Sequence, residues 1–405
     1  MFRLLVPILF CAVATAQQPF LEGELIFPLE DWHNHGSCIV ECPNGDLLAC
    51  WFHGSGERSA DDVQISGARK VKATGQWTAP FVMADTPEFP DTNCCMIIDP
   101  QQRLWLLWPT IQANTWESAL MKYKISDDYM MPEGAPAWGL LDILHIKQSD
   151  DFEQQVRAKT DAYIKSVFSG TELPPIVNMW ADRNYKQATD KLTRRLGWFT
   201  RAHPKMLPDG RMLVGLYSDG FSFALVAYTD DLGKSWKFSE PIVGGGNIQP
   251  SFAQRKDGSL LCFMRDNGPP PKRIMVSESK DRGETWSTVT DHPDLENPGA
   301  GLEIMNASDG DFLVIYNDLE EGRWSLAVAL SEDEGKTWKY KRHLERMEGG
   351  GGSFHYPSII EGKDGNFHAS YSYFIDNPPE GGQKGKSIKH ATFNKAWIMA
   401  GDGGK

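Results

Sequence analysis

Six times along this chain an apolar run meets a tight polar turn and a second apolar run follows it. The copies read SCIVECPNGDLLACWF from Ser37, NCCMIIDPQQRLWLLW from Asn93 and HPKMLPDGRMLVGLY from His203. They continue as QPSFAQRKDGSLLCFMR from Gln249, LEIMNASDGDFLVIYN from Leu302 and YPSIIEGKDGNFHASYSY from Tyr356. Gly45, Gly210, Gly258, Gly310 and Gly365 mark five of the turns, and Gln101-Gln102 fills the sixth. Asn-Gly and Asp-Gly between apolar runs specify hairpins, because these turns need positive φ. A hairpin unit repeated at about 50 residues cannot bury its apolar face alone, so neighbouring units must stack.

A second signature locates the outer part of each unit. Thr229 to Trp236, Ser279 to Trp286 and Ser331 to Trp338 all fit [S/T]-x-D-x-G-x-[S/T]-W, and a degenerate copy ends at Trp77. In such a box the Asp side chain bonds backbone amides, Gly takes the positive-φ position and Trp packs between sheets. Together the two patterns predict six four-stranded blades closed into a ring, an all-β six-bladed β-propeller without open sheet edges. The last blade shows three strands, the third at Ser387 to Phe393, and Glu24 to Pro28 is expected to supply its fourth. The turns of blades 2 and 3 lie twice the usual distance apart. The extra length, about 126–197, predicts a helical insertion: Phe152, Val156, Lys159, Tyr163 and Val167 form one helical stripe, and Tyr185, Ala188, Leu192 and Leu196 a second.

With 41 Lys+Arg against 54 Asp+Glu the net charge is −13, which argues against a nucleic-acid partner. Arg3, the apolar run Leu4 to Val13 and Ala14-Thr15-Ala16 read as a signal peptide over residues 1–16, so the mature protein, 17–405, is expected to be secreted or periplasmic. No later stretch reaches the length of a membrane span. Cys38, Cys42, Cys50, Cys94, Cys95 and Cys262 form no CxxC pair and read as small buried hydrophobes. Neither a cofactor motif nor a metal motif is present, and the poly-Gly stretches are not phosphate loops. The oligomeric state is not readable.

The boxes and hairpins resemble the BNR-repeat (Asp-box) proteins of the sialidase superfamily, in particular bacterial ones, over nearly the whole mature chain except the insertion. The resemblance implies an arginine clamp for a substrate carboxylate, a Tyr nucleophile with a Glu partner and an Asp acid. A guanidinium fork matches a carboxylate in two parallel hydrogen bonds, and a neutral Tyr avoids the repulsion a carboxylate nucleophile meets near an anionic substrate. On that basis Arg265, at the end of the second strand of blade 4, and Arg323 are expected to hold the carboxylate. Tyr356, opening blade 6, stands where the nucleophile belongs, and Asp62, in the loop after the first hairpin, where the acid belongs. Two departures accompany these matches. Blade 1 opens Asn34-His35-Gly36-Ser37 instead of Arg-Ile-Pro, leaving Arg58 or Arg201 to replace the first arginine. Gln249 stands where the Glu partner belongs, leaving Glu303 of blade 5 as the substitute.

His35, His203 and His355 each open an innermost strand and are expected to converge on the axis as a polar lining, with Asn93 and Gln249 binding sugar hydroxyls; Trp51, Trp108 and Trp116 are candidates to stack on sugar faces. The reading is an exported retaining glycoside hydrolase that releases a terminal acidic sugar from a glycan. A glycan-binding propeller without catalysis and a uronate-cleaving polysaccharide lyase stand as alternatives.

Overall fold

The computed structural model describes residues 17–169, 172–378 and 380–403. The segment read as a signal peptide lies outside the described residues. Six antiparallel sheets follow one another around a ring. Blade 1 runs from the inner strand His33–Glu41 through Leu47–Gly54 and Gln64–Val71 to two short outer strands, Gln76–Trp77 and Phe81–Ala84. Blades 2 to 5 have four strands each. The inner strand of blade 6, Gly352–Glu361, is followed by Phe367–Ile375 and Gly385–Phe393, and the N-terminal strand Leu21–Leu25 completes the sheet. The chain ends are therefore stitched together: Leu21 pairs with Phe393 and Leu25 with Lys389. Strands buried on both faces, such as Leu104–Ile111, pack blade on blade into continuous apolar clusters. All six cysteines among the described residues are buried and free.

Each of the three box segments folds into the same turn. Asp231 accepts from the Ser235 amide at 2.9 Å, Asp281 from Thr285 at 2.9 Å and Asp333 from Thr337 at 2.8 Å, and Gly233, Gly283 and Gly335 have φ near 85°. Their tryptophans are not equally sheltered. Trp286 is 3% exposed, whereas Trp236 and Trp338 are only partly buried, because they cap their blades from the rim. Trp286 packs on Phe252 with the ring centroids 5.6 Å apart, so Trp286→Ala is expected to cost about 3–5 kcal/mol in chemical denaturation; a loss below about 1 kcal/mol is the contrary result.

The span read as a helical insertion also contains the outer strand of blade 2, Leu140–Ile143, so the helical part begins after it. It comprises α1 (Phe152–Val167), α2 (Pro175–Thr189) and α3 (Lys191–Arg195). The second helix starts earlier than its apolar stripe suggested because Pro175 fits a first helical turn. It breaks at Asp190, whose side chain caps α3 by accepting from the Thr193 amide at 2.8 Å. Lys159 of α1 pins the insertion to the propeller through Glu240 and the Trp286 carbonyl. A short terminal helix, α4 (Lys395–Ala400), packs on blade 5. No helix among the described residues is long and apolar enough to cross a membrane.

The inner strands carry the device that shapes the centre. The ladders of blades 1, 4 and 6 slip between His35 and Cys38, between Ile248 and Ser251, and between His355 and Ser358. At each slip one residue has positive φ: Gly36 (65°), Gln249 (57°) and Tyr356 (52°). Asn93 of blade 2 shares this backbone, at 43°. A bulge with a left-handed residue re-aims a side chain, and non-glycine residues persist there only when the surroundings fix them. Three blades thus turn one residue each at the same level of the axis.

Candidate active site

These bulges open into a cavity of about 260 Å³ whose lining includes His35, Asn93, Gln249, Arg265, Arg323 and Tyr356. Tyr356 stands at its centre. Its hydroxyl oxygen accepts from Arg265 Nη1 at 2.8 Å and from Gln249 Nε2 at 3.2 Å. The guanidinium of Arg323 lies 5.7 Å from the ring centroid and that of Arg201 5.2 Å. Gln249 also donates to Tyr217 at 2.9 Å, and Asn93 donates to the same hydroxyl at 3.0 Å. Room for this packing comes from Gly301: a Cβ there would sit 3.0 Å from Gln249 Oε1 and 3.1 Å from the Tyr356 ring.

The electrostatics are those of an anion site. Burial works against the charge of Arg265, but Tyr356, Tyr217 and Asp219 outweigh it and hold the guanidinium pKa above its ordinary value. Burial, with Arg265 nearby, lowers that of Arg323. Arg265 Nε and Gln249 Oε1 are buried with no hydrogen-bond partner in the protein, which is costly unless a ligand supplies one. His35 sits edge-on to Tyr356 at 4.2 Å and to His355 at 4.7 Å. Burial pushes both imidazoles well below the ordinary histidine range, with other nearby cationic groups adding to the effect, so both are neutral.

Other expected residues lie elsewhere. Glu303 does not approach Tyr356; it accepts from His203 Nδ1 at 2.6 Å and from the Ile359 amide at 3.0 Å. Gly301 packs against Tyr356 and Gln249, whereas Glu303, two residues later, opens the inner strand of blade 5 and lines a separate cavity. His203 goes with it, facing that cavity and Cys38, and does not join the other two histidines. Among the described residues, no carboxylate is bonded to the Tyr356 hydroxyl. Asp62 is exposed and closes its own loop by accepting from the amide and hydroxyl of Ser55 at 3.1 and 2.9 Å. Arg58 rests over Trp116, while Arg201 is buried beneath Tyr356 and spends its guanidinium on the carbonyls of Ser37 and Pro357. Trp51 and Trp108 are core residues; Trp116 lines the cavity, stacked on Phe199 at 5.2 Å.

Two carboxylates that the residue pattern did not single out as site residues do line the cavity, Glu57 and Asp219. Burial works to raise the Glu57 pKa, but the hydrogen bond to His33 at 3.2 Å and the charges of His33, Arg58 and Arg323 outweigh it and hold Glu57 below its ordinary value. Asp219 is pushed the other way, chiefly by burial, with Arg265 opposing. Both stand on loops, outside the repeat that made the strand residues legible.

The model of the BNR repeat-like domain family matches residues 182–369. In sequence over that stretch, and in fold over nearly its whole length, this chain is similar to sialidase-like BNR-repeat proteins. An anhydrosialidase of Macrobdella decora is 27% identical over an alignment of 184 residues that covers 41% of this chain and 23% of that protein. A sialidase of Bacteroides fragilis is 26% identical over 147 residues, 34% of this chain and 26% of that protein. The matched stretch thus spans about a quarter of either relative's length. Among solved structures, the leech intramolecular trans-sialidase superposes with a TM-score of 0.66 at 13% identity, covering 94% of this chain and 71% of that one. The intramolecular trans-sialidase of Ruminococcus gnavus gives 0.65 at 13%, covering 91% and 95%. At these identities the structural likeness speaks for the fold alone. The BNR repeat-like match begins inside α2 and ends within blade 6, so it takes in Arg265, Arg323 and Tyr356 but not Glu57.

Proposed function

We propose that this propeller is an exported glycosidase that binds a terminal acidic sugar through Arg265 and Arg323 and cleaves its glycosidic bond with two carboxylates. The observation that carries the reading is the pairing of these arginines with a carboxyl pair whose pKa values are pushed apart. Opposite shifts in one cavity are the usual mark of an acid and a base. Asp219, raised, protonates the leaving oxygen; Glu57, lowered, takes the proton of the attacking water. The sugar carboxylate replaces the missing partner of Arg265 Nε. Tyr356, with both of its donors on the oxygen and no carboxylate to take its proton, orients the arginine instead of attacking.

The test is a panel of sialyl and uronyl glycosides. A new reducing end supports hydrolysis, whereas an unsaturated product absorbing in the ultraviolet points to elimination. Tyr356→Phe is expected to keep turnover within about tenfold of the parent, because a positioning contact is lost but no bond-making group. Complete loss of turnover with a folded variant would restore a covalent tyrosine route. The replacement of the usual carboxylate by Gln249 specifically favours a second reading, binding of an acidic glycan without cleavage; saturable binding across the panel with no product identifies it.

A further inference from the structure

Beside the acidic-sugar cavity lies a second and larger one, of about 580 Å³, which nothing in the proposed chemistry uses. It runs between the helical insertion and the top loop of blade 4. Val167, Ile176, Met179 and Trp180 line its helical side and Pro269 to Pro271 the other. Ile176, Met179 and Val167 are 68%, 66% and 53% exposed, although large apolar side chains grouped on one rim are costly in water. The two cavities share walls. Arg265 and Asn267 face the sugar cavity, and Asp266 between them lines the apolar one. The loop carrying Asp219 is held by α2: Arg183, which also lines the groove, donates to Ser222 Oγ at 3.5 Å, and Gln187 lies against Gly220.

We infer that this groove is the aglycone subsite, and that the substrate is an acidic glycoside whose leaving group is apolar. The inference rests on the proposed function, since it takes Asp219 as the acid. A general acid must sit at the leaving oxygen, so the aglycone departs on the Asp219 side. That side is where α2 and the groove begin. An alkyl or ring aglycone there covers the exposed rim of Ile176 and Met179, while the sugar carboxylate stays on Arg265.

The experiment compares the binding of methyl and octyl glycosides of one acidic sugar with that of octyl glucoside, by calorimetry on the full chain. The octyl acidic glycoside is expected to bind at least about tenfold more tightly than the methyl one, since several methylenes leave water. That gain should vanish in Ile176→Asp and Met179→Asp, whose exposed positions leave the fold intact, while the methyl glycoside binds both variants as it binds the parent. Equal affinity for methyl and octyl acidic glycosides overturns the subsite and leaves the proposed function standing. If octyl glucoside binds as tightly as the acidic octyl glycoside, the groove is independent of the sugar cavity, and the link to Asp219 is overturned. If no acidic glycoside binds at all, the proposed function fails and the subsite fails with it.

Discussion

Replacing Arg265 with lysine is expected to lower kcat/KM for an acidic glycoside by about 100-fold or more while leaving thermal stability nearly unchanged. Charge is conserved, so any loss comes from geometry. Arg265 donates at once to Tyr356 at 2.8 Å and to Asn267 at 3.2 Å, and its Nε is buried without a protein partner. One planar group serves three directions; a lysine ammonium on a flexible stem cannot hold the same fork. Breaking one side of a buried charged contact costs about 2–5 kcal/mol, about 30-fold to several thousand-fold. The control is the carboxyl methyl ester of the same glycoside. The parent should discriminate strongly against the ester, and Arg265→Lys should discriminate little. If the variant retains both its affinity and its preference for the free acid, the carboxylate is not held by Arg265.

The site was legible wherever it lies on the repeat. His35, Gln249 and Tyr356 stand on three inner strands, Asn93 just before a fourth and Arg265 near the end of a second strand, so the hairpin period brings them to one cavity. The limit was depth along the axis. Glu303 and His203 also belong to innermost segments, yet it is Gly301, two residues before Glu303, that packs against Tyr356, and a period-2 pattern gives the face without giving the depth. The bulges that set the level leave only faint traces, Gln249 and Tyr356 each preceding a proline and Gly36 following His35. Glu57, Asp219 and Trp116 were not legible as a group because they stand on the irregular loops that join the second and third strands of blades 1, 3 and 2. Asp62 shares its loop with Glu57, but Asp62 turns outward to accept from Ser55, while Glu57 turns inward to His33.

Asp219→Asn is expected to produce the largest catalytic loss, and the shape of the loss identifies the group. As the acid, Asp219 must be protonated; as the base, Glu57 must be ionised. Burial raises the Asp219 pKa, and His33, Arg58 and Arg323 outweigh burial to lower that of Glu57. Activity should therefore rise as pH climbs through the Glu57 pKa, hold between the two, and fall as pH climbs through the raised Asp219 value. Removing the acid should cost about 100- to 10,000-fold on a glycoside with an alkyl leaving group and should abolish the alkaline limb of the profile. A nitrophenyl leaving group departs without a proton, so on that substrate the same variant should lose far less and keep only the acidic limb. Glu57→Gln should behave in the opposite sense, losing turnover on both substrates and removing the acidic limb. If Asp219→Asn instead slows both leaving groups equally and preserves the alkaline limb, the acid is another group, and the aglycone does not leave past the loop that α2 holds.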